Sequence, residues 1–262
     1  MNIFNEGFLV KITIIFLALS MNVLALDKTR AEFDQINTDF LQFYQESVPQ
    51  NIKARMFPNW EINYPAAAAE RSTDFDISRD RVPEEWDISI LSGYYREELG
   101  SRNVHLLVLC HELAHHIGGA PYKLNDQSNI RWASMESQSD YYAAKTCMRK
   151  FFKRFPKWFK FTHKINEGIS SRCEKKFYPS TWEIKACNII GQAGLQLAWI
   201  HQKFEYPPIE NEPKVSPETP DQNVATTLDR DAYASNQCRF DSHLHGALML
   251  ERPACWFPKT QE

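Results

Sequence analysis

The amino-acid sequence lacks several features that would assign it to a common functional class. It has no excess of positive charge, because 30 lysines and arginines stand against 33 aspartates and glutamates, for a net charge of −3. That balance argues against a nucleic-acid-binding protein. It has no Cys-x-x-Cys pair of the kind that binds zinc, no repeat of fixed period, and no internal hydrophobic run long enough to span a membrane. With 262 residues, the chain can form one large or two small globular domains.

The strongly hydrophobic stretch lies near the N-terminus. Lys11 precedes the apolar residues 12–19, and the small-residue motif Val23-Leu24-Ala25 follows. This pattern is typical of a secretory signal peptide, so we expect residues 1–25 to be removed by cleavage after Ala25. An uncleaved membrane anchor is the alternative, because residues 8–26 are marginally long enough to span a bilayer. No cysteine stands at the cleavage position, which argues against a lipid anchor. The sequence therefore predicts a periplasmic or secreted protein.

All six cysteines lie in the part of the chain that would be exported. An even number of cysteines in an oxidising compartment predicts up to three disulfide bonds. Nearness in sequence favours the pairs Cys173–Cys187 and Cys238–Cys255. Cys110–Cys147 is then left as the third pair. Two buried free thiols are the alternative to the last pair.

The hydrophobic periodicity predicts an α+β fold that is mainly helical. We expect helices at residues 27–48, at 101–117, from Ser134 to about Arg149, and at 181–205. Short alternating segments at 55–57, 60–64, 74–78 and 86–90 predict a small antiparallel or mixed sheet immediately before the helix at 101–117. Residues 66–69 fit either a further strand or a helical turn.

The remaining segments are assigned by composition. Residues 206–223 are rich in proline and glutamate and predict an irregular, mobile loop after a domain at 26–205. The C-terminal segment 224–262 carries two cysteines and ends on an apolar pair, so we expect it to pack on the same domain. Residues 151–161 combine aromatic and basic side chains, which fits contact with an anionic membrane or a substrate. A packed element with solvated lysines is favoured, because Pro156 interrupts any long amphipathic helix.

A metal-binding pattern occupies the helix predicted at 101–117. His111 and His115 lie four residues apart, so they project from the same helix face and can bind one metal ion. Glu112 is placed to take a proton from a metal-bound water. Ser101 can cap the start of this helix and Gly118 can end it. The helix is almost wholly apolar, and an unpartnered buried polar group costs on the order of 2–7 kcal/mol, so a metal ion is a suitable partner.

A third ligand is expected on the next helix, since catalytic zinc usually has three protein ligands and a water. Glu136 and Asp140 lie four residues apart and share one helix face. Glu136 can complete the coordination, while Asp140 can accept the free ring N–H of His111 and fix its orientation. The alternative is a solvated pair of acids near a helix start, where negative charge is favourable.

The combination of His111-Glu112-x-x-His115 with Glu136-x-x-x-Asp140 resembles the gluzincin group of zinc metallopeptidases, and HtpX-like peptidases more than thermolysin. The resemblance covers about residues 100–150 and implies a zincin-like domain that binds Zn2+ and hydrolyses peptide bonds. Metzincins differ, because they need a third histidine where this chain has Pro121. HtpX-like enzymes are integral membrane proteins, so the resemblance implies a soluble, exported relative.

The resemblance also bears on the C-terminal segment. Such relatives often carry His-Pro before an arginine, and Tyr233 stands roughly where that histidine would be. If the match holds, its hydroxyl could donate to the oxyanion as it forms, although a surface turn residue is an equal alternative. His243 and His245 compete for this role, whereas His116 is expected to line the site or support a ligand.

The leading hypothesis is therefore an exported zinc metalloendopeptidase that acts on a peptide or protein substrate. Glu112 would activate the zinc-bound water, and the strand at 86–90 could bind an extended substrate along its edge. Two alternatives remain open at this point. One is a non-catalytic exported binding protein with a structural zinc, and the other is a zinc amidase that acts on cell-wall peptides.

Overall fold

A computed structural model describes residues 28–72, 84–124, 132–205 and 212–258. These residues form a mainly helical α+β fold with one three-stranded sheet, as the sequence predicts. The strands are β1 (Lys53–Asn59), β2 (Ala67–Ser72) and β3 (Glu85–Leu91). The helices are α1 (Arg30–Ser47), α2 (Gly93–Arg96), α3 (Arg102–Ile117), α4 (Glu136–Tyr142), α5 (Met148–Arg154), α6 (Glu167–Phe177), α7 (Thr181–Phe204) and α8 (Asn236–Ala247). A π-helical turn, Ala143–Cys147, joins α4 to α5, and a 3-10 turn, Pro156–Trp158, follows α5.

The sheet is mixed and has the order β1-β3-β2. β1 runs parallel to β3, with Ala54 opposite Trp86, and β2 runs antiparallel to β3, with Ala68 opposite Ser89. The small residues at 67–69 therefore belong to a strand and not to a helical turn. β3 lies in the middle, so both its edges are already paired. The expectation that residues 86–90 offer a free edge to a substrate was wrong. Among the described residues, β1 and β2 are the outer strands, and each has one unpaired edge.

The strand expected at residues 60–64 does not form. The side chain of Asn59 accepts hydrogen bonds from the backbone N–H groups of Glu61, at 2.9 Å, and Ile62, at 3.3 Å. Such local side-chain bonds favour a turn over an extended strand. The chain therefore turns at the end of β1. The strand expected at residues 74–78 lies outside the described residues.

Helix α3 is the centre of the fold and is buried along nearly its whole length. The hydroxyl of Ser101 accepts from the backbone N–H of Val104 at 3.2 Å, which caps the start of the helix as predicted. Gly118 is the C-terminal cap, and Gly119 has φ +79°, a conformation that favours glycine. The sheet packs against one side of α3, and the main core of apolar side chains surrounds it.

The second helix of the site begins two residues later than expected. Met135, not Ser134, precedes the first turn of α4, and the hydroxyl of Ser134 donates to the carbonyl of Gly119 at 2.7 Å. This bond joins the end of α3 to the start of α4. The serine therefore fixes the connection between the two helices instead of capping the second one.

All three predicted disulfide bonds are present, so the alternative of two free thiols was wrong. Cys110–Cys147 joins α3 to the π-helical turn, and Cys110 directly precedes the predicted ligand His111. Cys173–Cys187 joins α6 to α7, and Cys238–Cys255 joins α8 to the C-terminal tail. Three disulfides fit an oxidising compartment.

The C-terminal part packs on the rest of the fold. Trp256 is buried against Met135 and Tyr141, and α8 packs against α7 and α4. The described part of the Pro-rich segment, residues 212–223, is irregular as predicted. It packs against α7, because Val215 is buried and accepts a hydrogen bond from the indole of Trp199 at 2.9 Å.

Two further expectations concern membranes. Within the described ranges, no helix combines the length and apolar character needed to cross a bilayer. The predicted signal peptide, residues 1–25, lies outside those ranges. In the aromatic run at 151–161, Phe151, Phe152 and Trp158 are buried, so much of this run packs into the core.

Candidate metal centre

Two helices bring the predicted ligands together. α3 presents His111 and His115, and α4 presents Glu136 opposite them, with all three side chains buried. The Nε2 atom of His111 lies 3.1 Å from Oε2 of Glu136, and Nε2 of His115 lies 3.7 Å from Oε1. The two imidazole rings are nearly perpendicular, with centroids 4.7 Å apart. The four-residue spacing therefore produces the convergence that the sequence predicts.

The Nδ1 atom of each imidazole contacts an oxygen atom of the protein. Nδ1 of His111 lies 2.7 Å from Oδ1 of Asp140, and Nδ1 of His115 lies 2.8 Å from the carbonyl oxygen of Ser134. The hydroxyl of Ser139 is 3.1 Å from the same His115 nitrogen. A carbonyl oxygen only accepts, so Nδ1 of His115 carries the proton and its Nε2 keeps a free lone pair. Both Nε2 atoms are thereby aimed at Glu136.

The donor set fits a metal ion. One ligand atom from each of His111, His115 and Glu136 lies within 4.8 Å of the others, and this is the one such group among the described residues. Ligands of a tetrahedral ion with bonds of about 2.0–2.2 Å are about 3.3–3.6 Å apart, close to the two imidazole–carboxylate distances. The buried group could therefore bind a metal ion with little rearrangement.

The charges at the site favour a cation. Burial alone would lower the pKa of His111, but the carboxylates of Asp140 and Glu136 outweigh it and raise that pKa to about 10. Burial opposes ionisation of Glu136 as well, yet the neighbouring histidines hold its pKa well below the usual range. Lys123 places its ammonium 2.5 Å from Oε1 of Glu136. A buried carboxylate thus attracts positive charge from several sides.

Glu112 faces a cavity of about 290 Å³ that the three candidate ligands also line. Its carboxylate makes no hydrogen bond to any described residue, although it is only 6% exposed. Burial raises the pKa of Glu112 to about 7, and the charge of Glu136 adds to this effect. A carboxyl group with that pKa can take up and release a proton near neutral pH.

A buried ion pair connects the site to α8, and its arginine, Arg239, also lines the cavity. Arg239 of α8 donates from Nε to Oδ2 of Asp140 at 2.8 Å and from Nη2 to Oδ1 at 3.0 Å. His243 lies behind the same aspartate, with Nδ1 3.2 Å from its carbonyl oxygen. Asp140 therefore connects His111 to α8, as its predicted supporting position requires.

Of the three residues considered for the oxyanion, Tyr233 lines the cavity. Its ring lies 5.4 Å from the guanidinium of Arg239. Tyr233 is 67% exposed. Partial burial of its hydroxyl in the cavity and the nearby Glu136 carboxylate raise its pKa to about 12, so the phenol is a proton donor at neutral pH. His243 is buried behind Asp140, and His245 contacts the carbonyl oxygen of Glu251. Neither histidine reaches the cavity.

The expectation for His116 was wrong. Its ring is stacked between the indoles of Trp86, at 5.0 Å, and Trp132, at 4.9 Å, and its Nε2 lies 3.3 Å from the carbonyl oxygen of Asp87. The guanidinium of Arg71 lies over both indoles, at 3.9 and 4.4 Å. His116 therefore neither lines the cavity nor contacts a candidate ligand, and it helps to hold Trp132 beside the start of α4.

Several cavity residues were not predicted from the sequence. His201 near the end of α7 lies 3.4 Å from Arg239, and its Nε2 lies 3.5 Å from the hydroxyl of Tyr94. Lys123 directly follows Tyr122, which forms an isolated antiparallel bridge with Ser134. The signal that could have found them is weak, because a single histidine or tyrosine in a helix indicates a core residue as readily as a site residue.

Comparison with known proteins gives no match, since no family model, no curated protein and no solved structure is significantly similar to this chain.

Proposed function

We propose that this chain is an exported zinc metallopeptidase. The observation that carries the proposal is the convergence of His111, His115 and Glu136 within 4.8 Å, beside the unpaired carboxylate of Glu112. Two imidazoles and one carboxylate form a typical ligand set for catalytic zinc. The gluzincin-like spacing of these residues and the three disulfides support the same assignment.

A catalytic role is favoured over a structural one by the number of ligands. Structural zinc sites are closed by four protein ligands, whereas catalytic sites have three and keep one position for water or substrate. The group found within the described ranges has three. The cavity next to these three residues is also lined by Glu112, whose pKa of about 7 suits proton transfer near neutral pH. A structural zinc site does not need such a group.

Zinc held by these three residues would supply a Lewis acid that polarises a peptide carbonyl and makes water more acidic. Glu112 would accept the proton of the attacking water and deliver it to the leaving nitrogen. Tyr233 would donate its hydroxyl proton in a hydrogen bond to the oxygen that becomes negative. Asp140 and the Ser134 carbonyl would keep the two imidazoles in the orientation that binding requires.

The free edge of β2 is the proposed binding surface for the substrate backbone. Ala67, Ala68 and Ala69 line the cavity, and their small side chains leave space next to the strand. An extended peptide can pair with such an edge through backbone hydrogen bonds. An endopeptidase would bind a substrate in this way on both sides of the cleaved bond.

The proposal is tested by incubating the purified chain with casein and with a library of quenched fluorescent peptides. Wild type should cleave, and activity should be lost with a chelator and restored by zinc. Glu112→Gln should reduce the rate by a factor of about 100 or more while zinc content stays unchanged, since the glutamine occupies the same volume but cannot accept a proton. Glu174→Gln, an exposed substitution on α6, is the control for a lost carboxylate.

Cleavage that persists in Glu112→Gln would rule out this mechanism. A wild-type chain that binds zinc tightly but cleaves neither proteins nor cell-wall peptides would favour the non-catalytic alternative. Cleavage of cell-wall peptides alone would favour the amidase.

A further inference from the structure

The charge of the chain is unevenly distributed. Residues 149–185 contain eleven lysines and arginines and three acidic residues, while the rest of the sequence contains nineteen basic and thirty acidic residues. This segment runs from α5 through α6 into the first turn of α7. A strongly basic region is therefore present on a chain whose net charge is negative.

Aromatic side chains lie among these cations in the folded structure. Nζ of Lys185 lies 4.5 Å from the ring centre of Phe159 and 5.7 Å from that of Phe161, and Nζ of Lys153 lies 4.9 Å from Trp182. The rings of Phe159 and Trp182 are 5.3 Å apart. We call these five residues the lysine–aromatic surface. It brings α5, the segment after it and the start of α7 together.

The charges of this surface are not neutralised within the fold. Lys153 and Lys185 form no ion pair with any described residue, and the same holds for Lys160, which lies between the two phenylalanines. Other cations of the segment are paired, since Arg154 bonds to Glu46 and Lys157 to Asp39. Ammonium groups that lie over aromatic rings instead of carboxylates remain available to an external anion.

Two aromatic side chains at this surface are exposed. Phe161 is 44% exposed, and Tyr178, which stands four residues before Trp182, is 83% exposed. Lys175 and Lys176 at the end of α6 stand three and two residues before this tyrosine, and both are exposed. Singly exposed aromatic side chains are common on protein surfaces, so what distinguishes these two is their position next to lysines that no described carboxylate neutralises.

We propose that the lysine–aromatic surface binds an anionic lipid bilayer. Long lysine side chains keep their charge near lipid headgroups while their methylene groups cover apolar surface, and aromatic rings prefer the interface between headgroups and acyl chains. The unpaired cations here are mostly lysines. A surface that recognises individual phosphates in nucleic acids would favour the bidentate guanidinium of arginine.

This binding leaves the candidate metal centre accessible. Lys185 lies near the start of α7 and His201, which lines the cavity, lies near its end. Sixteen residues of α-helix at 1.5 Å per residue separate the two by about 24 Å. The inference is therefore independent of the proposed function, because none of the five residues of the lysine–aromatic surface lines the cavity.

Vesicle co-sedimentation tests the proposal. The full chain is mixed with phosphatidylcholine vesicles that contain either no or 30% phosphatidylglycerol, and the readout is the ratio of the two affinities. An N-terminal apolar segment acts equally on both vesicles, so this ratio isolates the contribution of surface charge. We expect wild type to bind the anionic vesicles at least tenfold more tightly at low salt, and this preference to disappear at 0.5 M salt.

The variant Lys153→Gln/Lys160→Gln/Lys185→Gln should lose the preference, since each lysine near an anionic surface contributes about fivefold in affinity. The control variant Lys53→Gln/Lys203→Gln/Lys214→Gln makes the same change in net charge on other exposed positions and should keep it. Phe161→Ser/Tyr178→Ser should weaken binding to anionic vesicles without changing its salt dependence. Thermal unfolding of each variant checks that the fold is intact.

Three results would overturn the proposal. The first is a wild-type chain that does not prefer anionic vesicles, and the second is an equal loss of preference in the lysine variant and its control. The third is tighter binding to polyglutamate or to DNA than to the vesicles at the same concentration of charge, which would assign the surface to an acidic polymer.

Discussion

Arg239 and Asp140 form a buried, bidentate ion pair across 99 residues of sequence, with distances of 2.8 and 3.0 Å. The aspartate is completely buried and also lies 2.7 Å from the ring nitrogen of His111. The C-terminal helix therefore reaches the candidate metal centre through one carboxylate. This contact explains why a tail beyond the Pro-rich segment would matter to a site formed by α3 and α4.

The first prediction concerns this carboxylate. Asp140→Asn removes the charge that pairs with Arg239 and that orients His111, so zinc affinity should fall by about 10- to 100-fold. The free energy of unfolding should fall by about 3–5 kcal/mol, because the guanidinium loses its buried partner. Competition with a chromophoric chelator measures the affinity, and urea unfolding measures the stability.

Asp34→Asn is the control for this substitution, because it removes an exposed carboxylate on α1 that pairs with Arg30 and with none of the candidate ligands. It should leave zinc affinity unchanged. Equal affinities of Asp140→Asn and wild type would show that the aspartate does not act through His111.

The second prediction concerns the substrate edge of β2. Leu91 donates to the carbonyl of Ala66, so in this antiparallel register the backbone groups of Ala69 point towards the free edge. Proline is tolerated at such positions, where it removes an N–H that the sheet does not use. Ala69→Pro should therefore fold normally but raise KM about three- to tenfold, the value of one lost hydrogen bond. Peptide cleavage kinetics measure the change.

Ala69→Ser keeps the backbone N–H and is the matched control for this variant, with KM expected to stay within twofold of wild type. If the proline variant cleaves peptides with unchanged KM, the substrate does not pair with β2.

The third prediction concerns stability against pH. His105 is completely buried on α3, with Nε2 3.1 Å from the side-chain oxygen of Asn37, and burial lowers its pKa to about 3. In the unfolded chain its pKa is about 6.5. The unfolded state therefore binds a proton below pH 6.5 that the folded state does not, and stability falls as the pH drops from 6.5 towards 3. Between pH 7 and pH 4 this loss should be about 3 kcal/mol.

Urea unfolding at a series of pH values checks this contribution. His105→Gln cannot titrate, so its stability should depend less steeply on pH below 6.5 than that of wild type. Identical slopes for the two proteins would contradict the assignment.

The local parts of the site could be predicted from the sequence. An apolar helix that begins after Ser101 and ends at Gly118 fixes which face His111 and His115 share, and both helix ends are set by neighbouring residues. The position of Glu136 on the next helix follows from the same periodicity. These features depend on contacts between residues close in sequence, which local physical rules describe well.

The remaining features depend on tertiary packing. The stacking of His116 between Trp86 and Trp132 requires three distant segments to meet, and no local pattern indicates it. The partnership of Arg239 with Asp140 and the position of His201 beside it depend in the same way on how α7 and α8 pack. The failed strand at 60–64 has a local cause, since the side chain of Asn59 forms bonds that the alternation of apolar residues does not reveal.

The central claim, that His111, His115 and Glu136 hold one catalytic metal ion, is tested most directly by the metal content of the purified chain. We predict about one zinc per chain in wild type and in Glu112→Gln, and a fall to background in Glu136→Ala. A wild-type chain that contains no metal after equilibration with zinc, or a Glu136→Ala variant that keeps its full zinc content, would contradict the claim.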